Sequence, residues 1–190
     1  MDKKNFFLSV FMLLVGNFLC EAQVTLPAQV WSEIEVNLTA AEVWAVYSSP
    51  DLPRLIVELM PHRYQKIDVL EGDGTQGTIL NITLQPSNLG PLTWSEEFVT
   101  IDHRKRTKVV RQIQGGFLGI GFVSYENIYK ISRKTRTSCV IRATASFVVN
   151  QGSEYGASFI NASWRMAYAL IDHIRAKKAS NHVSLDSKRS

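Results

Sequence analysis

Two residues of opposite charge on one predicted β-hairpin are the residues of this chain best placed for chemistry. Glu96 falls in a strand-like run over residues 92–102, and Lys108 falls in the next run, over residues 106–114. A carboxylate and an ammonium group enclosed in an apolar pocket have shifted pKa values, which suits them to exchange protons with a ligand. The pair therefore predicts acid–base chemistry, provided that both side chains face the interior.

The register of the hairpin decides whether they do. Side chains alternate along a strand, and a connection of residues 103–105 would place Asp102 opposite Arg106. Glu96 and Lys108 would then share one face of the sheet. The sequence leaves open the alternative that this face points outward and that both residues only contact solvent. The face would carry these side chains from three successive strands: Trp94, Glu96, Phe98 and Thr100; Lys108, Val110, Gln112 and Gln114; and Tyr125, Asn127 and Tyr129.

The surrounding elements predict an α+β fold, with a seven-stranded antiparallel sheet wrapped around one long C-terminal helix. After a first strand over residues 30–38, two short helices follow. Thr39 and Glu42 predict a capping box at the start of the first of them. Apolar residues at helical spacing predict the long helix over residues 155–178. A sheet curved around a helix leaves a cavity between them, which the charged pair would face. The short helices are predicted over residues 40–47 and 51–59, and the other strands over 64–70, 77–84, 92–102, 106–114, 119–131 and 137–149.

A glycine-rich stretch over residues 71–78, reading Glu-Gly-Asp-Gly-Thr-Gln-Gly-Thr, lies between two of these strands. Glycine at this density indicates positive φ angles or a close approach to another group. A tight turn and an anion-binding loop both fit that description. A phosphate-binding loop normally leads into a helix through Gly-Lys-Ser/Thr, whereas a β-branched run follows here. The turn is the favoured interpretation, and the anion site stays open.

The first 22 residues have the pattern of a secretory signal peptide. Lys3 and Lys4 precede an apolar run from Phe6 to Leu19, and Cys20-Glu21-Ala22 follows with small residues where a signal peptidase cleaves. The run is too short and too interrupted for a comfortable membrane span. We expect a protein of the secretory pathway, in the endoplasmic reticulum and then the vacuole or cell exterior, with no stable membrane insertion after cleavage.

Residues 23–178 form the predicted cavity domain, and the polar residues 179–190 a disordered tail. Cys139 is the one cysteine beyond the signal, in an apolar strand pattern typical of a buried thiol. The net charge is +4, and the basic residues gather at hairpin tips and in the tail without the interleaved aromatics of a nucleic-acid-binding face. The four histidines lack the spacing of metal ligands. We expect no nucleic acid, metal or cofactor.

Several segments of the sequence are distinctive besides the glycine-rich stretch. They are Glu33-Ile-Glu-Val36, Ala41-Glu-Val-Trp-Ala-Val-Tyr47, Glu58-Leu-Met-Pro61, Glu96-Glu-Phe98, Gly115-Gly-Phe-Leu-Gly-Ile-Gly121 and Ser138-Cys-Val-Ile141. These segments and the order of the elements resemble the plant pathogenesis-related proteins of the major birch-pollen-allergen type. Within that family the chain is similar to the norcoclaurine synthase group, over roughly residues 30–175. The resemblance implies a helix-grip fold with a ligand cavity.

The resemblance implies a Pictet–Spengler condensation of dopamine with 4-hydroxyphenylacetaldehyde to an (S)-tetrahydroisoquinoline, a step of alkaloid biosynthesis. In that group a lysine engages the aldehyde oxygen and assists loss of water, and its place falls on Lys108. The general base of the group, a glutamate, falls on Glu96. The resemblance therefore implies that these two residues are catalytic.

Three positions depart from the group's pattern. Trp94 stands in place of an entrance tyrosine, Phe117 stands in place of another tyrosine, and Asn127 stands in place of an aspartate. The last change removes a negative charge that favours binding of an ammonium or iminium group. These three residues, with Phe98 and Tyr125, are the predicted substrate-binding residues.

Two other functions remain open from the sequence. The same cavity would suit a carrier that binds a hydrophobic plant metabolite or hormone without turning it over. It would also suit an enzyme that stops at the imine, as norbelladine-forming relatives do. The expected partners are a small amine and an aldehyde, and a homodimer is one option for the assembly.

Overall fold

The computed structural model describes residues 24–86, 92–160 and 164–186. Within them the chain forms seven strands and three α-helices. The elements in chain order are β1 (Thr25–Val36), α1 (Ala40–Tyr47), α2 (Leu52–Leu59), β2 (Tyr64–Glu71), β3 (Ile79–Leu84), β4 (Thr93–Asp102), β5 (Thr107–Gly115), β6 (Phe122–Arg133), β7 (Cys139–Asn150) and α3 (Trp164–Asp186), with 3₁₀ turns at Leu118–Ile120 and Glu154–Phe159.

The strands form one antiparallel sheet in the order β1-β7-β6-β5-β4-β3-β2. Six consecutive strands follow one another across it, and β1 closes onto β7, which confirms the predicted architecture. The helix α3 packs its apolar stripe against the inner side of this sheet and against α1. Its buried residues are Met166, Ala167, Leu170, Ile171 and Ile174.

The capping box at the start of α1 forms as predicted. The hydroxyl of Thr39 accepts a hydrogen bond from the backbone N–H of Glu42, and the Glu42 carboxylate accepts one from the N–H of Thr39. The same carboxylate binds Lys178 of α3, with 2.8 Å between Oε1 and Nζ. The cap of the first helix is therefore tied to the last helix.

The predicted ends of several elements were wrong. Strand β1 begins at Thr25, earlier than predicted, because it pairs along its whole length with β7. Residues 118–120 form a 3₁₀ turn instead of the start of a strand. The segment Glu154–Phe159 is also 3₁₀, and α3 runs on to Asp186, through residues placed in the disordered tail. The predicted signal peptide lies outside the described residues.

The glycine-rich stretch is a tight loop between β2 and β3. Gly72, Gly74 and Gly77 all have positive φ, between 87° and 92°. The N–H of Gly74 donates to the hydroxyl of Thr78 at 2.9 Å, and the N–H of Gly77 donates to the carbonyl of Phe98 at 2.8 Å. Since these donors bind within the protein, the arrangement favours the turn over the anion-binding loop.

The β4–β5 hairpin departs from simple alternation at two places. Asp102 pairs with Thr107 and not with Arg106, and a bulge then leaves Val99 unpaired in β4. A second bulge leaves Ile113 unpaired in β5. A bulge puts an extra residue into one strand and so changes which side chains face inward beyond it.

Two predicted inward residues are therefore wrong. Thr100 pairs with Val109 on the outer face, and Ile101 packs into the core in its place. Gln114 is exposed, because the second bulge turns it away from the interior. The positions that matter most for chemistry keep their predicted face, since Glu96, Phe98 and Lys108 all point inward.

Cys139 is fully buried, as predicted, and burial raises the pKa of its thiol to about 11. The thiol is therefore protonated at neutral pH and unsuited to nucleophilic attack. Among the described residues, the helices are too short or too polar to cross a membrane.

Candidate active site

A cavity of about 190 Å³ lies between the concave face of the sheet and the helices α2 and α3. Apolar side chains form most of its wall, with a few polar groups among them. All seven residues predicted for the site line it: Trp94, Glu96, Phe98, Lys108, Phe117, Tyr125 and Asn127. The structure thus brings the predicted residues together, while their roles stay predictions.

Lys108 is the buried cation of this cavity. Its side chain is 1% exposed, and its Nζ lies 3.6 Å from the centre of the Phe98 ring. The same Nζ donates a hydrogen bond of 3.3 Å to the backbone carbonyl of Tyr47, at the end of α1. Burial lowers the pKa of Lys108 to about 8, although the nearby Glu96 carboxylate acts in the opposite direction.

Glu96 is the acidic residue of the cavity and lies near Lys108. Burial raises the pKa of Glu96 above its ordinary value, because a carboxylate loses hydration inside the cavity. Two contacts act against that rise. The indole N–H of Trp94 donates to Oε2 at 2.8 Å, and the charge of Lys108 favours the ionised form. The pair therefore has one pKa raised and one lowered, as acid–base chemistry near neutral pH requires.

The wall next to this pair is aromatic. The ring of Phe117 stacks on Tyr125 with 4.4 Å between centroids, and the Tyr125 hydroxyl donates to Oδ1 of Asn127 at 3.3 Å. The side-chain oxygen of Gln112 accepts from the backbone N–H of Phe117 at 2.9 Å, which holds the Phe117 backbone beside β5. The neutral Asn127 stays hydrogen-bonded within the wall.

Several lining residues escaped the sequence-based prediction. Tyr47 comes from α1, Tyr64 from the start of β2, Arg63 from the turn before β2, and Arg165 from the first turn of α3. Alternation along the central strands cannot identify them, since they belong to elements that cover the sheet.

Comparisons with known proteins identify the family of this chain. A model of the pathogenesis-related protein Bet v 1 family matches residues 25–154. S-norcoclaurine synthase 2 of Papaver somniferum is 42% identical over 120 residues, which are 63% of this chain and 52% of that protein. The chain thus spans about half the length of this poppy relative. Norbelladine synthase of Narcissus pseudonarcissus is 37% identical over 80% of this chain and 95% of its own length.

Solved structures give the same result for the fold. A structure of norcoclaurine synthase from Thalictrum flavum in complex with dopamine and hydroxybenzaldehyde superposes with a TM-score of 0.75. It is 29% identical, and the match covers 80% of this chain and 88% of that one. With the helix-grip architecture, the cavity and the matching sequence together, this chain belongs to the pathogenesis-related Bet v 1 family.

Proposed function

We propose that this protein condenses an arylethylamine such as dopamine with an aryl acetaldehyde such as 4-hydroxyphenylacetaldehyde, in a Pictet–Spengler reaction that yields an (S)-tetrahydroisoquinoline. The observation that carries the proposal is the enclosed pair of Glu96 and Lys108. Relatives named norcoclaurine synthase support the reaction class, and the Thalictrum flavum enzyme binds an amine and an aldehyde together.

In the proposed reaction the amine nitrogen attacks the aldehyde carbon to give a carbinolamine. The ammonium group of Lys108 donates a hydrogen bond and then a proton to the carbinol oxygen, which leaves as water when the iminium forms. The aromatic ring attacks the iminium carbon, and the carboxylate of Glu96 takes the proton that the ring loses. Proton transfer from Glu96 back to Lys108 restores both groups.

The buried charges favour an enzyme over a simple carrier. Removing a lysine and a glutamate from water costs free energy, which a cavity for a hydrophobic ligand has no need to spend. The chain nevertheless keeps Lys108 fixed by Phe98 and the Tyr47 carbonyl. Fixed groups with shifted pKa values are typical of catalytic sites.

The test is a product assay with a Lys108→Ala variant. Mixed with dopamine and 4-hydroxyphenylacetaldehyde, the wild-type protein should give the cyclised product with an enantiomeric excess, measured by chiral chromatography and mass spectrometry. The variant should lose at least about a hundredfold in rate, because it lacks the proton donor. Full cyclisation by Lys108→Ala would disprove the proposed role of this residue.

The matched control is Lys105→Ala, which removes a lysine from the tip of the same hairpin, where the side chain is 73% exposed. This variant should retain the wild-type rate. The wild-type product also separates the alternatives: an uncyclised imine would indicate an imine-forming enzyme, and unchanged substrates with bound ligand would indicate a carrier.

A further inference from the structure

The cavity has an excess of positive charge that the condensation does not use. Besides Lys108 and Glu96, two arginines line it: Arg63, in the turn before β2, and Arg165, in the first turn of α3. Arg63 is half-buried and Arg165 is exposed, so both lie on the solvent side of the cavity. We call these two residues the arginine rim.

The arginine rim has no acidic partner within the part of the chain that the structure describes. The ion pairs found there involve other arginines and lysines. Arg63 contacts Tyr64, with 5.9 Å from its guanidinium carbon to the ring centre and a hydrogen bond between the two side chains. Neither guanidinium group therefore has a carboxylate within the described residues to balance its charge, and a guanidinium can bind a ligand carboxylate through two hydrogen bonds.

Arg165 also stands where a cation does not stabilise its helix. The N-terminal end of a helix carries a partial positive charge, so an acidic residue is favoured there and a basic one is not. The first turn of α3 contains no acidic residue. A cation that opposes the helix dipole and borders a cavity is better explained by a ligand than by helix stability.

The residues that line the inner wall carry no negative charge without a nearby cation. Asn127 carries no charge, and its Oδ1 already accepts the hydrogen bond from Tyr125. Its amide N–H groups, which are donors, remain for a ligand. Glu96 is the one acid among the residues that line the cavity, and the buried Lys108 lies near enough to favour and balance its charge.

We propose that the cavity binds aromatic carboxylic acids, with the aryl ring among the apolar side chains and the carboxylate on the arginine rim. The apolar contacts come from α2 and α3, through Ile56 and Met166, which line the cavity with the two arginines. This ligand class does not depend on the condensation reaction, because binding of the acid requires no turnover by Glu96 and Lys108.

The test measures equilibrium binding of 4-hydroxyphenylacetate and of its uncharged analogue 4-hydroxyphenylacetamide, by calorimetry in the absence of any amine. The wild-type protein should bind the acid about tenfold more tightly than the amide, and the preference should shrink as the salt concentration rises. Arg63→Gln and Arg165→Gln should each lower the affinity for the acid several-fold and leave the affinity for the amide unchanged.

Arg175→Gln is the matched control, because Arg175 lies on the same helix, pairs with Asp172 and is not part of the cavity wall. It should bind the acid as the wild-type protein does. Equal binding of acid and amide, no binding of either, or an unchanged preference when both rim arginines are replaced would each overturn the proposal. Thermal unfolding of every variant verifies that it is folded, and the single variants keep the test decisive if the double variant is not.

Discussion

Trp94 favours the ionised form of Glu96 through one hydrogen bond. The indole N–H donates to the carboxylate at 2.8 Å and so lowers a pKa that burial raises. The resemblance to the norcoclaurine synthases places a tyrosine at this position, which also carries a donor. The sequence therefore changes the residue type here but keeps a hydrogen-bond donor near the proposed base.

Replacing Trp94 by Phe should move the acid limb of the pH–rate profile. Without the donor, the folded protein stabilises the ionised form of Glu96 less. The pKa of Glu96 then rises further, and the base is ionised only at higher pH. The midpoint of the acid limb should shift upward, while the basic limb, set by Lys108 near pH 8, should stay close to its place. Rates of condensation across pH 5 to 9 measure both.

Trp94→Tyr is the control, because it keeps an aromatic ring and restores a donor. Its acid limb should return toward that of the wild type. A profile for Trp94→Phe that matches the wild type would show that the hydrogen bond does not govern the active carboxylate.

Asn127 is the position at which this chain lacks the aspartate implied by the resemblance. Asn127→Asp should place a negative charge in the cavity wall, where the resemblance implies that it favours an ammonium or iminium group. We expect the KM for dopamine to fall about three- to tenfold, with a smaller change in kcat, because the charge acts on binding of the cationic amine. Steady-state kinetics at fixed aldehyde concentration measure it, and an unchanged or higher KM would place the amine elsewhere in the cavity.

At the scale of elements, the β2–β3 loop is held by its close contact with the turn before α2. A Cβ on Gly74 would lie 2.5 Å from the Cα of Pro50, while a Cβ on Gly77 would meet no atom within 4 Å. Both glycines have similar positive φ angles, of 92° and 88°. A comparison of substitutions at the two positions therefore separates the cost of steric contact from the cost of the backbone conformation.

Gly74→Ala should destabilise the protein more than Gly77→Ala. Both variants incur the cost of a positive φ, about 1 to 2 kcal/mol in the free energy of unfolding. Gly74→Ala adds an overpacking term of about 1 to 3 kcal/mol, since backbone atoms of Pro50 must move. Urea unfolding measures both values, and equal losses would mean that the loop shifts freely away from Pro50.

The predicted strands and helices were largely confirmed, because apolar residues recur at a regular spacing over many residues of each element. Thr100 and Gln114 were placed on the wrong face, since a bulge depends on how two strands meet and not on either strand alone. Arg63 and Arg165 were missed for a related reason. Single charged residues give no periodic signal, and only the folded chain brings them to one cavity.

At the scale of the whole molecule, α3 connects the sheet with the first helix. Its apolar stripe covers the sheet, and Lys178 in its C-terminal half binds Glu42 in the first turn of α1. The Lys178 ammonium, followed by the hydrogen bonds from Thr39, lowers the pKa of Glu42 from 4.5 to about 2. A depressed carboxyl pKa in the folded state means that this contact stabilises the protein above pH 4.5.

That contribution should be lost as the pH falls from 4.5 through 2, where the folded protein must take up a proton on Glu42. Lys178→Ala should therefore lower the free energy of unfolding at pH 7 by up to about 1 kcal/mol, because the pair is solvated. The difference from wild type should shrink toward pH 2. Lys177→Ala, which removes the neighbouring exposed lysine, is the control and should show little change at either pH.

The two bulges of the β4–β5 hairpin offset each other in the pairing of its strands. The first inserts Val99 into β4 and the second inserts Ile113 into β5, so the pairing of the two strands shifts by one residue at the first bulge and returns at the second. Within that stretch, Glu96 faces the cavity and its neighbour Glu97 pairs with Arg111 on the outer side. Deletion of Val99 would remove the first bulge and leave Phe98 opposite Val110, so Glu96 would still face the cavity. The inserted valine thus lies outside the paired positions that orient the proposed base, and its loss should leave Glu96 in place.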